Sequence, residues 1–158
     1  MVRKQTSRIF TFVGIGAIAA LVAFMVLLQV QSAKNNDFRK SIDSIATDAI
    51  ALTQQYQAEE GKWTSKQYDN STMITIVDSY LPRYQQLIDK ANVLDTPDRY
   101  EDARAYLVNA IESEKESNEH FRNYLTTGNQ IEYQRSSDLL TKSLSESASY
   151  DAAIRAAG

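Results

Sequence analysis

The sequence predicts an all-α protein, with an N-terminal transmembrane helix followed by an up-down-up-down four-helix bundle that is antiparallel and coiled-coil-like. Three observations carry that expectation. Residues 9–30 read IFTFVGIGAIAALVAFMVLLQV, one apolar run without a charge. Only five glycines and two prolines punctuate the 158 residues, so long helices are favoured over a sheet. After the run, apolar residues recur at steps of three and four, the period of a helix face.

The apolar run comes first. A helix of that length is about 33 Å long at ~1.5 Å per residue, against a bilayer core of about 30 Å. Export signals usually have shorter apolar regions, about 7–15 residues, and end in a small-x-small cleavage site. Here the exit, LLQVQSAK, offers only Val-x-Ser. The segment is therefore expected to be kept as a signal-anchor. Arg3, Lys4 and Arg8 precede it without an acid among them, which holds the N-terminus in the cytoplasm. The domains follow: 1–8 a basic cytoplasmic tail, 9–30 the anchor, and 31–158 an extracytoplasmic bundle. The expected location is the cell membrane, with a single pass. Within the anchor, Gly16 with Ala20 and Ala19 with Ala23 form small-xxx-small pairs, where another membrane helix can approach closely.

In the first outer helix, expected over 34–60, Phe38, Ile42, Ile45, Ala49, Leu52 and Tyr56 form an a/d seam. Nothing interrupts the chain between Val30 and Phe38, so this helix can run on from the anchor, and Gly61 is its expected stop. A polar loop, Lys62–Thr72, follows and carries Trp63 and Tyr68. The second helix, over 71–94, has the stripe Ile76, Val77, Tyr80, Leu81, Tyr84, Leu87, Ile88 and Ala91. Pro82 falls inside it and is expected to kink it or split it in two. Thr96 as cap with Pro97 and Asp98 starts the third helix, over 97–127. Its stripe is Tyr100, Ala103, Leu107, Ala110, Ile111, Phe121, Tyr124 and Leu125, and Gly128 ends it. Asn129 with Glu132 forms a capping box for the fourth helix, over 130–156. Tyr133, Leu140, Leu144, Tyr150 and Ile154 are its expected seam, the weakest of the four.

The composition narrows the chemistry. With no cysteine, disulfides, thiolate metal sites, cysteine nucleophiles and c-type haem attachment are excluded. Three of the 17 basic residues precede the anchor and all 20 acidic residues follow it, so the outer part is acidic and no nucleic acid is expected as a partner. His120 is the single histidine. A di-iron bundle needs Glu-x-x-His on two helices, and the residue three before His120 is Ser117. Glu116 and His120, one turn apart, are expected to pair on a solvated face. Glu114 and Ser117 interrupt the third stripe. They either line a cavity or, as the favoured expectation, the stripe rotates and Glu114 points to water. No Ser-His-Asp set, phosphate loop or nucleotide fingerprint is present.

The expected function is thus non-catalytic, with neither cofactor nor metal. The outer bundle serves as an interaction or scaffold module, or as an accessory subunit of a membrane complex. Its partners are the lipid bilayer and a membrane protein or a second copy. Trp63 and Tyr68 at the distal tip are candidate contacts for a partner. Asn70-Ser71-Thr72 is a glycosylation sequon in the same loop. The alternative is an extracytoplasmic sensory or small-ligand-binding bundle. In layout, though in no motif, it resembles the front half of a chemoreceptor-type sensor. No second apolar run follows, so such a sensor needs a partner to carry its signal inward.

Overall fold

A computed structural model of the chain describes the backbone from Thr6 to Ala157 and the side chains from Ser32 to Ala157. The described backbone is helical but for short turns, in four helices: α1 (Thr6–Thr64), α2 (Asn70–Asn92), α3 (Glu101–Thr127) and α4 (Gln130–Ala157). Contacts divide the chain into two compact units, 1–37 and 38–158. The second unit is a four-helix bundle. Among the described residues, no helix is long and apolar enough to cross a membrane. The expected anchor over 9–30, with its Gly16, Ala19, Ala20 and Ala23 face, lies outside the residues whose side chains are described.

Cross-helix contacts define the topology of the bundle. Arg83 Nη2 of α2 donates to Gln55 Oε1 of α1, and Tyr80 packs edge-on against Tyr56. Arg122 of α3 donates from Nε and Nη2 to the two carboxylate oxygens of Asp78 of α2. Ser117 Oγ of α3 donates to the Ser136 carbonyl of α4 at 2.7 Å. Tyr150 Oη of α4 donates to Asp43 Oδ1 of α1 at 3.2 Å. Along each pair of sequential helices one partner's number falls as the other's rises: Trp63–Asn70 and Gln55–Arg83, Asp78–Arg122 and Tyr84–Glu114, His120–Glu132 and Ser117–Ser136. Sequential helices are therefore antiparallel and α4 closes back on α1.

The α1 seam is buried as its spacing predicts, with Phe38, Ile42, Ile45, Ala49, Leu52 and Tyr56 all in the core. Full burial of such side chains contributes about 1.5–3 kcal/mol each. Two apolar clusters result. One gathers Phe38 to Leu52 of α1 with Tyr84 to Ala91, Tyr100 to Ile111 and Tyr150. The other, at the opposite end, holds Tyr56, Met73, Val77, Phe121 and Leu125. Between them on α3 lie four polar residues, Ser113, Glu114, Ser117 and Asn118. Three of these are buried and Glu114 is half-buried.

The ends of the elements differ from the expected ones in instructive ways. Gly61 does not stop α1, which continues to Thr64. The expected loop Lys62–Thr72 shrinks to residues 65–69. Lys66 there takes φ 62, with its N–H on the Trp63 carbonyl and that of Gln67 on the Lys62 carbonyl. This is a Schellman closure with lysine in the left-handed position that glycine usually fills. Asp69 caps α2 by accepting from the Thr72 N–H at 2.7 Å. Pro82 does not split α2, which is one helix from end to end. The flanking turns pack Val77 and Tyr84 into the core and hold it together around the missing bond.

The start of α3 also departs from expectation. A 3₁₀ turn, Asp98–Tyr100, comes first, and the Thr96 hydroxyl donates to the Leu94 carbonyl instead of capping. Gly128 ends α3 as expected, at φ 69 with its N–H on the Tyr124 carbonyl. Asn129 caps α4 through the Ile131 N–H. The Glu132 carboxylate turns to His120, so only half of the expected box forms.

The fourth helix shows the largest correction. Leu140 and Leu144 are exposed, Leu144 at 66%, and Tyr133 is half exposed. The buried positions are Ser143 and Tyr150, with Ser136, Leu139, Ala153 and Ile154 partly covered. In the first half of α4 the inward face is built of serines, and there the Ser117 hydroxyl binds the α4 backbone at Ser136.

Candidate functional site

The small inward face of α4 leaves space beside it. A groove of about 280 Å³ opens between α1 and α4, with α3 as its floor. Ala46, Ala49 and Ile50 line the α1 side; Leu140, Leu144 and Ser147 line the α4 side; Leu107, Ala110 and Ile111 line the floor. Ile50 is 59% exposed, so its side chain stands at the rim. The spacing of Ala46, Ile50, Thr53 and Gln57 on α1 brings one helix face to the groove, and Leu140, Leu144, Ser147 and Asp151 do the same on α4.

Glu114 lies on the floor of this groove. This overturns the expectation that it points to water: the α3 stripe does not rotate, because Ser113, Ser117 and Asn118 around it stay buried. Tyr84 Oη donates to Glu114 Oε1 at 3.0 Å. Burial raises the Glu114 carboxyl above its ordinary value, partly offset by hydrogen bonds from Thr53 and Tyr84. Burial and the charge of Glu114 push Glu60, also half-buried, up to about 7. The hydroxyls of Tyr56 and Tyr84 are raised as well, mainly by burial. Tyr56 Oη, Ser113 Oγ and Asn118 Nδ2 are buried without a hydrogen-bond partner in the chain. Ser117 does not line the groove; its hydroxyl is spent on Ser136.

A polar layer thus crosses the bundle and meets an apolar groove at Glu114. Among the described residues no lysine or arginine lines the groove, and its two acids are Glu114 and Asp151. Among the described residues, no three histidine, aspartate or glutamate side chains converge on a point where a metal could sit.

The other predicted residues have their own partners. Trp63 packs edge-on against Phe121, with ring centres 5.2 Å apart, and its indole N–H donates to Asn70 Oδ1 at 2.9 Å. Asn70 Nδ2 in turn donates to the Leu125 carbonyl, so the sequon asparagine is engaged at both ends of its amide. This chain ties α1, α2 and α3 together at the tip. Tyr68 Oη donates to Glu59 Oε2, and Lys62 Nζ sits 5.6 Å from the Tyr68 ring centre. His120 pairs across to Glu132 of α4 at 2.6 Å, not with Glu116 on its own helix. Glu132 is lowered mainly by that bond.

Sequence reasoning identified Glu114 but not the groove, because the α4 wall depends on which face the serines turn inward. The usable signal was Ser136, Ser143 and Tyr150 at seven-residue intervals. The chain was compared with protein-family models, curated proteins and solved structures, and it matches none.

Proposed function

We propose that the chain is a non-catalytic, single-pass membrane-anchored protein whose extracytoplasmic bundle binds a small ligand in the groove between α1 and α4. The observation that carries this reading is the groove itself, an apolar trough with one half-buried carboxyl at its base. Ligand sites commonly join apolar walls to a few convergent polar groups. The anchor rests on the length and charge flanks of residues 9–30. On this reading the bundle is a sensory or ligand-receiving domain that works with a membrane partner.

The test is a thermal-shift screen of the full chain in nanodiscs against a metabolite panel. A compound that stabilises the wild type and fails on Ser147→Trp, which fills the exposed rim of the groove, supports the reading. A shift of equal size in both proteins would remove the groove as the site.

A separate observation favours a second reading, an interaction or scaffold module or accessory subunit. Ile131 and Tyr133 stand exposed at the start of α4, near the Trp63 end of the bundle. Purification from native membranes in mild detergent tests it. A stoichiometric membrane partner supports this reading and a lone monomer sinks it. Alanine at Trp63 and Tyr68 then reports whether the tip makes the contact.

A further inference from the structure

We infer that the α1–α4 groove takes a small primary or secondary amine with an apolar body, its ammonium seated on the Glu114 carboxylate. The inference rests on the ligand-binding reading and adds the chemical class of the ligand.

Charge is the first argument. Among the described residues the groove is lined by two acids and no base, and the partners of the Glu114 carboxyl are the neutral hydroxyls of Tyr84 and Thr53. A half-buried carboxylate without a cation carries its desolvation uncompensated. An ammonium entering the groove supplies the missing countercharge. Charge-assisted hydrogen bonds of this kind are roughly twice as strong as neutral ones.

Donor and acceptor roles are the second argument. Tyr84 Oη already donates to Glu114 Oε1. The Thr53 hydroxyl, also on the groove wall, shares its proton between the Ala49 carbonyl, 3.0 Å away, and the Glu114 carboxylate, and keeps its lone pairs. The seat therefore offers acceptors to N–H donors. A quaternary ammonium has no N–H to give and is recognised by a cage of aromatic faces. Only one aromatic residue, Tyr150, lines this groove.

Size and polarity are the third. About 280 Å³ is at the small end of ligand cavities, on the order of 300 Å³ and upward. The alanines and leucines along the walls match an alkyl or phenyl body.

The experiment compares isoamylamine and 2-phenylethylamine with their alcohol isosteres, isoamyl alcohol and 2-phenylethanol. Binding to the full chain in nanodiscs is read by titration calorimetry up to about 10 mM, where millimolar affinity is still detected. The amines are expected to bind about tenfold or more tightly than the alcohols. In Glu114→Gln, which keeps the shape and the Tyr84 bond, that preference is expected to vanish while alcohol binding persists. Amine and alcohol binding equally in the wild type would overturn the amine assignment and leave the groove as a ligand site. Binding of neither series would overturn the inference and count against the ligand reading. An amine preference that survives Glu114→Gln would overturn the seat. Far-ultraviolet circular dichroism of the variant confirms that it is folded, and Glu114→Asp is expected to restore part of the preference.

Discussion

Single residues in this bundle carry costs that can be read from their surroundings. Ser113 Oγ is 1% exposed and has no partner in the chain. Leaving a hydroxyl unsatisfied in the interior costs about 1–3 kcal/mol. Ser113→Ala removes the polar atom with little change of volume, and is expected to raise stability by about 1 kcal/mol. Urea denaturation followed by circular dichroism checks it; a loss of stability would mean that the hydroxyl is satisfied in solution. Lys66 is the second case. It holds φ 62 in the closure of α1, a left-handed conformation that costs an L-residue about 1–2 kcal/mol. Lys66→Gly is expected to stabilise by up to about 1 kcal/mol, the relief of strain being partly cancelled by glycine's greater freedom when unfolded. The same denaturation experiment reads the difference.

Among the elements, α1 and α4 show where a helical period is informative and where it is not. Every member of the α1 seam from Phe38 to Tyr56 is buried, because one face is apolar throughout and no alternative face competes. The α3 stripe was legible for the same reason, and Gly128 marked its end. In α4 the large apolar residues, Leu140 and Leu144, sit at the rim of the groove, while serines and Tyr150 face inward. Hydrophobicity alone placed Tyr150 and Ile154 correctly and Tyr133, Leu140 and Leu144 on the wrong face. The inward face is selected by small size and by the Ser117–Ser136 bond, and neither appears in an apolar count. Glu114 was singled out but expected to face water, since its place follows from the buried polar neighbours on α3 and from Tyr84 on another helix. Substitution separates the two faces. Leu144→Gln is expected to change stability by no more than about 0.5 kcal/mol. Tyr150→Ala, which empties a buried site and removes the bond to Asp43, is expected to cost about 3 kcal/mol. Equal effects at the two positions would return Leu144 to the core. The expected loop at Lys62–Thr72 failed for a simpler reason. Gly61 lies within the last turn of α1, and the chain is turned instead at Lys66, a residue type that gives no turn signal.

On the scale of the molecule, titratable groups shift upward in the polar layer between the two apolar clusters and downward at the surface, so stability should depend on pH in a defined way. Burial and the neighbouring Glu114 hold the Glu60 carboxyl up at about 7, against 4.5 as its ordinary value. A carboxyl raised in the folded state favours folding while it stays protonated. Its contribution is complete below about pH 4.5, declines as pH rises through about 7 and is lost above that. The difference amounts to no more than about 3 kcal/mol, reduced by solvent screening at this partly covered site. Glu114, raised by burial, acts in the same sense. Glu132, Glu59 and Asp69 act in the opposite sense: a histidine, a lysine and a helix N-cap bond, respectively, lead the causes that hold them below their ordinary values. Their stabilisation is present above the ordinary carboxylate range and is lost as pH falls through the lowered values. The two sets leave a maximum of stability near pH 5, with decline on both sides. Urea unfolding of the full chain in nanodiscs, followed by near-ultraviolet circular dichroism of the tyrosines, measures it at about pH 3, 5 and 8. The midpoint is expected to fall from pH 5 to pH 8. In Glu60→Gln, where a neutral amide stands for the protonated carboxyl, most of that alkaline fall is expected to disappear while the acid fall remains. An unchanged alkaline fall in Glu60→Gln would move the titrating group to Glu114, and Glu114→Gln would then flatten it. A wild-type midpoint that does not change between pH 5 and pH 8 would mean that neither carboxyl is held in the dry layer between the two cores.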